Sequence, residues 1–534
     1  MISSTSNNPK QLIEQLNSLN AIGIALSKEK NLDFLLEEIL VAAKRLVNAD
    51  GGTLYSVDQN QISFQILHND SLNIKMGGSS GATIPFPPIQ LYDDQNHPRT
   101  NLVVAHSVLN NTTVNIADAY HTEGFDFSGT KNFDAKTGYH SQSFLTVPIR
   151  DHEKQIIGVL QLLNATDPTT KQITAFSETD QRLVESLASQ AGVAWSNRLL
   201  MKQQEELFEA FINMINMSID EKSPYTGAHC QRVPILTLMI ADAATRAQDG
   251  PLSDFKMTPE QRYELKIAGM LHDCGKVTTP VHVIDKSTKL ETIFDRIALV
   301  DARFEILRRD AKIDLLEGKI SQAEYETLCE KLDQDQTFVQ KANTGQEFMP
   351  ASAQDEIKRI ATYTYVNSLQ KQVVPFLLAD EIENLCISRG TLNAAEREII
   401  NQHIVVTINM LESLPWPKHL KNVPDFAGAH HERADGKGYP KGLKKDEMSV
   451  QARSIAIADI FEALTAIDRP YKPGKTLTET LTILGRMALE GHIDIDLFRI
   501  FIKEKVYLEY GQQYLKPYQI DEVNVDKIPG YHAN

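Results

Sequence analysis

Cysteine is scarce in this chain: four in 534 residues, at positions 230, 274, 329 and 386, with no CxxC spacing among them. That excludes a disulfide framework and a cysteine-built zinc site, and it fits a reducing cytoplasm. Long apolar runs are missing as well. No stretch reaches the roughly 18 apolar residues that span a bilayer, and the opening MISSTSNNPKQLIEQLNS lacks a secretory apolar segment, so a cytoplasmic protein without a membrane partner is expected. Basic excess is also lacking. With 54 Lys and Arg against 70 Asp and Glu the net charge is −16, which does not point to a nucleic acid polymer as partner. What is present is ordinary: 42% hydrophobic and 23% charged residues, over a length that suits roughly two to four domains.

Apolar spacing of three and four in QLIEQLNSLNAIGIAL and LDFLLEEILVAAKRLV predicts two amphipathic helices at the start. The short alternating runs GGTLYSV, QISFQIL, SFLTVPIR and QIIGVLQLLNA, separated by Gly, Asn, Asp and Pro, predict a sheet. Residues 1–176 are therefore expected to form an α+β domain, an antiparallel sheet with flanking helices. A connecting helix is expected over 177–222, with Leu183, Leu187, Ala191, Ala194, Leu199, Leu207, Phe211 and Ile215 along one stripe. Such a helix suits pairing with its twin in a homodimer or packing within its own domain, since its heptad is not clean over four repeats. From 223 to 534 the pattern is all-α. Within it, Ile293, Ile297, Val300, Phe304 and Leu307 keep one face apolar, and Ser321 to Glu324 has capping-box spacing.

The residues suited to chemistry are His229, the pair His272-Asp273, His403, the pair His430-His431, and Asp459. Leu265, Ala268 and His272 share one helical face, and Gly275 marks a helix stop. His403 falls on a stripe with Ile399, Val406 and Met410, and Asp459 follows Ala452 and Ile455, so both are expected to point inward. A carboxylate among Ala and Ile is costly unless it is paired or binds a cation. Imidazoles and carboxylates together suit iron, manganese or zinc better than calcium, and five histidines with two aspartates are enough for two ions bridged by Asp273.

The dyad His272-Asp273 before Cys-Gly-Lys, with His229 upstream and Asp459 downstream, resembles the HD superfamily of metal-dependent phosphohydrolases. HHERADGKGYP at 430–440, Lys276 and RPYKPGK at 469–475 narrow the resemblance to the HD-GYP family, bacterial phosphodiesterases of cyclic di-GMP. The resemblance implies metal ligands at His229, His272, Asp273, His403, His430, His431 and Asp459. Asp273 and Lys276 would be catalytic, and Lys276, Tyr439, Arg469 and Lys472 would contact substrate. It implies two divalent ions, iron or manganese, and hydrolysis of cyclic di-GMP to pGpG and on to GMP. Competing readings are the same chemistry on cyclic GMP-AMP and a cyclic di-GMP receptor that does not cleave. Tyr225 stands near where some members place a glutamate supporting a third metal, so two ions are expected.

Family-like residues stop at Asp285-Lys286 and resume at TLNAAEREII, which marks about 287–389 as a helical insertion. Gly436 and Gly438 are expected to allow positive φ and close backbone approach, and Cys274 to be a buried packing residue. The N-terminal domain resembles GAF domains of the cyclic-nucleotide phosphodiesterase and adenylyl cyclase kind. Asn164, Phe176 and Asp180 match the spaced motif of that subtype, while Ala165 and Gln181 do not. A GAF ligand is left unassigned, with a cyclic nucleotide the class to test.

Overall fold

A computed structural model describes residues 9–222, 229–345, 348–367, 371–467 and 474–532, without the side chains of 9–16. The chain divides into two units, residues 1–207 and 208–534.

In the first unit, helices α1 (Pro9–Lys28) and α2 (Leu32–Leu46) precede a sheet ordered β3-β2-β1-β7-β6-β5. Its strands are β1 (Ala49–Asp58), β2 (Gln61–Asn69), β3 (Ile74–Gly77), β4 (Ile89–Gln90), β5 (Val114–Ile116), β6 (Phe144–Arg150), β7 (Ile156–Thr166) and β8 (Ile173–Thr174). Neighbours pair antiparallel throughout, with β4 on β2 and β8 on β7, as the alternation predicted. Asn31 starts α2 by accepting the backbone N–H of Asp33 at 2.8 Å and of Phe34 at 3.2 Å. The α2 stripe of Leu35, Leu36, Ile39 and Leu40 is buried in one core with Leu54, Leu145 and Leu160 of the sheet. Helices α3 (Val103–Asn110) and α4 (Ser128–Thr137) follow β4 and β5 in turn.

Helix α5 spans Glu178–Lys222. Leu183, Leu187 and Ala191 are buried, as expected of the stripe, but Leu207 and Phe211 are 58% and 52% exposed. A three-four spacing marks an apolar face without saying what covers it.

The second unit is helical around the site. It contains α6 (His229–Arg246), α7 (Pro259–Leu271), α8 (Val281–Ile284), α9 (Ile297–Leu316), α10 (Gln322–Asn343), α11 (Ala351–Ile360), α12 (Ala379–Leu385), α13 (Ala394–Glu412), α14 (Val423–Gly428) and α15 (Val450–Thr465). After them come α16 (Leu477–Leu489), α17 (Ile495–Lys503) and α18 (Val506–Tyr514). Its main core gathers Val233, Leu265, Ala268, Val423, Ile455, Phe461 and Leu481.

Residues 290–386 hold a separate core of Leu290, Val300, Phe304, Val339, Ile357, Phe376 and Leu385. It includes a hairpin of β9 (Thr364–Asn367) and β10 (Gln372–Pro375). Ser321 caps α10 with Glu324 as predicted, whereas Ile293 stands outside α9 and is 94% exposed. Where this segment departs and returns, Thr391 Oγ1 donates to Lys286 O at 2.9 Å. Lys286 Nζ meets Asn384 Oδ1 at 3.1 Å and both oxygens of Glu396 at 2.7 Å.

Candidate metal centre

Three helices and two turns deliver the seven residues. His229 lies on α6, His272 and Asp273 follow the end of α7, and His403 lies inside α13. His430 and His431 come just after α14, and Asp459 lies on α15. The turn at His272-Asp273 runs on into a short 3₁₀ segment, Cys274–Thr278. Gly275 is not a left-handed stop there. A Cβ on it would sit 2.0 Å from His403 O and 2.6 Å from Thr407 N, so glycine is what lets this turn lie on the backbone of α13. The Gly275 N–H donates to Thr407 Oγ1 at 2.9 Å and fixes the contact.

The seven side chains form two groups: His229, His272, Asp273 and Asp459, and His403, His430 and His431. Within each, the donor atoms lie within 4.8 Å of one another. Asp273 belongs to both by geometry. Its Oδ2 is 3.2 Å from His272 Nε2 and 3.5 Å from His229 Nε2, while its Oδ1 is 3.3 Å from His403 Nε2 and 3.9 Å from His430 Nε2. Asp459 Oδ1 lies 3.1 Å from His229 Nε2, and His431 Nε2 lies 3.1 Å from His403 Nε2. Ile399, expected to share the inward stripe of His403, is 41% exposed.

The second ring nitrogen explains why the imidazoles face inward. Nδ1 of His272 is 2.7 Å from Gly269 O and that of His430 is 2.7 Å from Ala427 O; His403 meets Ile400 O in the same way. A carbonyl only accepts, so each Nδ1 carries a hydrogen and each Nε2 is the nitrogen that faces inward. His272 Nε2, His430 Nε2 and Asp273 Oδ1 are buried without a hydrogen-bond partner among the described residues. Each such atom costs about 1–3 kcal/mol, and a cation where they converge would relieve all three. The nitrogen and oxygen donors fit a divalent transition metal.

Charge is unevenly spread. Burial works against ionising Asp273, yet Lys276 and His272 outweigh it and hold the carboxyl well below its usual range. Lys276 Nζ sits 2.5 Å from Asp273 Oδ2. Burial likewise opposes protonation of His272, but the Asp273 carboxylate prevails and lifts it to about 9. In the other group burial dominates: His431 is pushed down to about 4, and His430 well down by burial and then by His431.

Three residues that the sequence reading did not single out support the site. Glu462, one turn beyond Asp459, accepts from His229 Nδ1 and from Arg232. Glu432 is buried and accepts the backbone N–H of Lys441 at 2.7 Å and of Leu443 at 2.8 Å. It thereby clamps the loop in which Gly436 has φ +78° and a Cβ on Gly438 would stand 2.4 Å from Arg433 N. The available signal was a polar residue one helical turn from a ligand, or directly after one. Tyr439 leaves that loop with its ring stacked on His431, centroids 4.9 Å apart and planes 14° apart. Beyond Tyr439 and Pro440 a groove of about 450 Å³ runs along α13, lined by Arg397, Asn401, Gln402 and Val405. Cys274 is buried and its thiol is pushed up to about 11 by burial, which suits packing and not nucleophilic attack. Arg469, Lys472 and Tyr225 lie outside the described residues.

In the first unit, Asn164 has φ +52°, accepts the N–H of Gln142 and Ser143, and donates to His140 O and Tyr139 Oη. Phe176 is a core residue, and Asp180 accepts from the N–H and hydroxyl of Ser177. All three motif residues thus serve the fold.

Comparison with known proteins agrees with both units: the chain carries a GAF domain, matched over residues 31–195, and an HD domain, matched over residues 373–497. The HD match contains His403, His430, His431 and Asp459. Among curated relatives, the 3′3′-cGAMP-specific phosphodiesterase 3 of Vibrio cholerae is 40% identical over 18% of this chain and 20% of its own length. A cyclic di-GMP phosphodiesterase of Pseudomonas aeruginosa is 45% identical over 15% of this chain and 19% of its own. One from Thermotoga maritima is 37% identical over 18% and 26% respectively. The chain therefore spans a quarter or less of the length of the first two relatives and about a quarter of the third. No helix among the described residues is long and apolar enough to cross a membrane.

Proposed function

We propose that the second unit is a metal-dependent phosphodiesterase that hydrolyses cyclic di-GMP to pGpG and then GMP, under regulation by the GAF domain. The observation that carries this reading is Asp273, whose two carboxylate oxygens face different groups of imidazoles, while its Oδ1 and the Nε2 atoms of His272 and His430 are buried without a hydrogen-bond partner among the described residues. Two divalent ions, iron or manganese, would be held by His229, His272 and Asp459 on one side and His403, His430 and His431 on the other, with Asp273 shared. Bound there, such ions would supply Lewis-acid chemistry for a phosphodiester and would lower the pKa of water.

The chain's own residues do the remainder. The carbonyl-tethered imidazoles keep their orientation through the reaction. Lys276 is placed to offset negative charge that develops on the phosphate. Tyr439 and the groove behind it offer an aromatic edge and polar side chains for a base. Arg469 and Lys472 are proposed as substrate contacts from sequence alone. The protein is read as a cytoplasmic homodimer.

A second reading has a specific observation behind it: Vibrio cholerae relatives are named as 3′3′-cGAMP-specific phosphodiesterases. Two-ion chemistry acts on the phosphodiester, so the bases decide between substrates. Manganese- or iron-loaded protein should release pGpG from cyclic di-GMP, resolved by chromatography. Faster turnover of cyclic GMP-AMP would replace the first substrate with the second, and cleavage of neither would favour a receptor. For the GAF domain, a melting shift with cAMP, cGMP or cyclic di-GMP would identify a ligand class.

A further inference from the structure

The five imidazoles are not held alike. Those of His272, His403 and His430 are tethered to the carbonyl three residues earlier, a contact that forms wherever that turn of chain forms. His229 lies in α6, and its Nδ1 is met instead by a side chain 233 residues away, Glu462 Oε2. The Glu462 side chain is 2% exposed. Arg232 completes the arrangement with Nε 2.7 Å and its terminal nitrogen 2.5 Å from Glu462 Oε1.

The four residues form two pairs one helical turn apart. His229 and Arg232 lie on one face of α6, and Asp459 and Glu462 on one face of α15. On each helix one member faces the ion site and the other braces it. A buried carboxylate without a partner costs several kcal/mol, and the guanidinium offsets that cost while it fixes the carboxylate's rotation.

We infer that Glu462, braced by Arg232, is a positioning residue for one ion site only, setting the orientation of His229 and with it the affinity for the ion shared by His229, His272 and Asp459. The ion held by His403, His430 and His431 owes nothing to Glu462. This inference rests on the two-ion reading above. A plain tie between α6 and α15 would use the same Arg232–Glu462 pair, but would not require the third contact to His229 and would not distinguish the two ions.

The test is equilibrium dialysis of Mn²⁺ against the chelator-stripped full chain, with circular dichroism and melting in chelator as the check on folding. The unaltered chain should take up two ions. Glu462→Gln should keep one at unaltered affinity and weaken the other about 10–100-fold, the usual effect of removing such a partner. Glu462→Asp, which keeps the charge facing Arg232, should weaken the same ion by less. Should Glu462→Gln fail to fold, the same split is required of Glu462→Asp. Two ions bound at unaltered affinity in the folded variant, or both weakened alike, would overturn the inference and leave the two-ion reading standing. An unaltered chain that takes up fewer than two ions would bring down that reading and this inference with it.

Discussion

Asp273 shows how much can rest on one side chain, because its oxygens face separate groups and its charge is balanced by Lys276 at 2.5 Å. Replacing it with alanine should therefore reduce bound metal as well as rate. We expect Asp273→Ala to lower turnover by at least about 10³-fold and to lose ions in elemental analysis; full metal content with full hydrolysis would contradict the assignment. Tyr439 poses a finer question. Its ring lies flat against His431, an arrangement worth about 0.5–1.5 kcal/mol that needs the ring and not the hydroxyl. Tyr439→Phe should leave KM and kcat within about twofold, whereas a rise in KM alone would mean that the hydroxyl touches substrate.

Elements meet at this site with almost no spare room. The 3₁₀ turn after Asp273 lies on α13 through Gly275, and the added methyl of Gly275→Ala would meet backbone, which cannot swing aside as a side chain can. We expect a loss of about 1–3 kcal/mol in stability together with weaker ion binding, read by urea melts and dialysis. Lys289 offers the opposite case within residues 290–386. It is 1% exposed, donates to Leu385 O at 2.9 Å, and burial lowers its pKa to about 8. Since the unfolded chain holds this proton up to about 10.5, unfolding takes up a proton between those values and stability rises with pH there. Lys289→Met should thus be more stable than the unaltered chain by about 1–2 kcal/mol at pH 7, after the lost hydrogen bond to Leu385 is counted. That advantage should shrink as pH climbs through 8 towards 10.5; an advantage constant with pH would show that the lysine is not the cause.

Across the whole molecule, the antiparallel sheet and the helical second unit were legible because each rests on local signals: alternation and three-four spacing. The seven candidate ligands were picked out by residue type and order, and the fold brings their side chains together in two groups. Glu462 and Arg232 were not, since no periodicity announces a pairing across 230 residues, and the exposure of Leu207, Phe211 and Ile293 was not, since spacing cannot report what covers a face. The separate core of residues 290–386 leads to one more expectation. Because Thr391 and Lys286 touch, replacing 287–390 with a short glycine link should leave a folded unit that still binds two ions and cleaves within about tenfold of the full rate, a level at which no ligand has been lost; loss of ion binding would show that the segment is part of the site. To the rest of the unit this excursion amounts to a closed loop. The entropy of closing a loop grows only with the logarithm of its length, about 0.6 kcal/mol for each doubling, so the neck at Lys286 and Thr391 frees the segment's size and sequence to drift with little effect on the stability of the site beneath it.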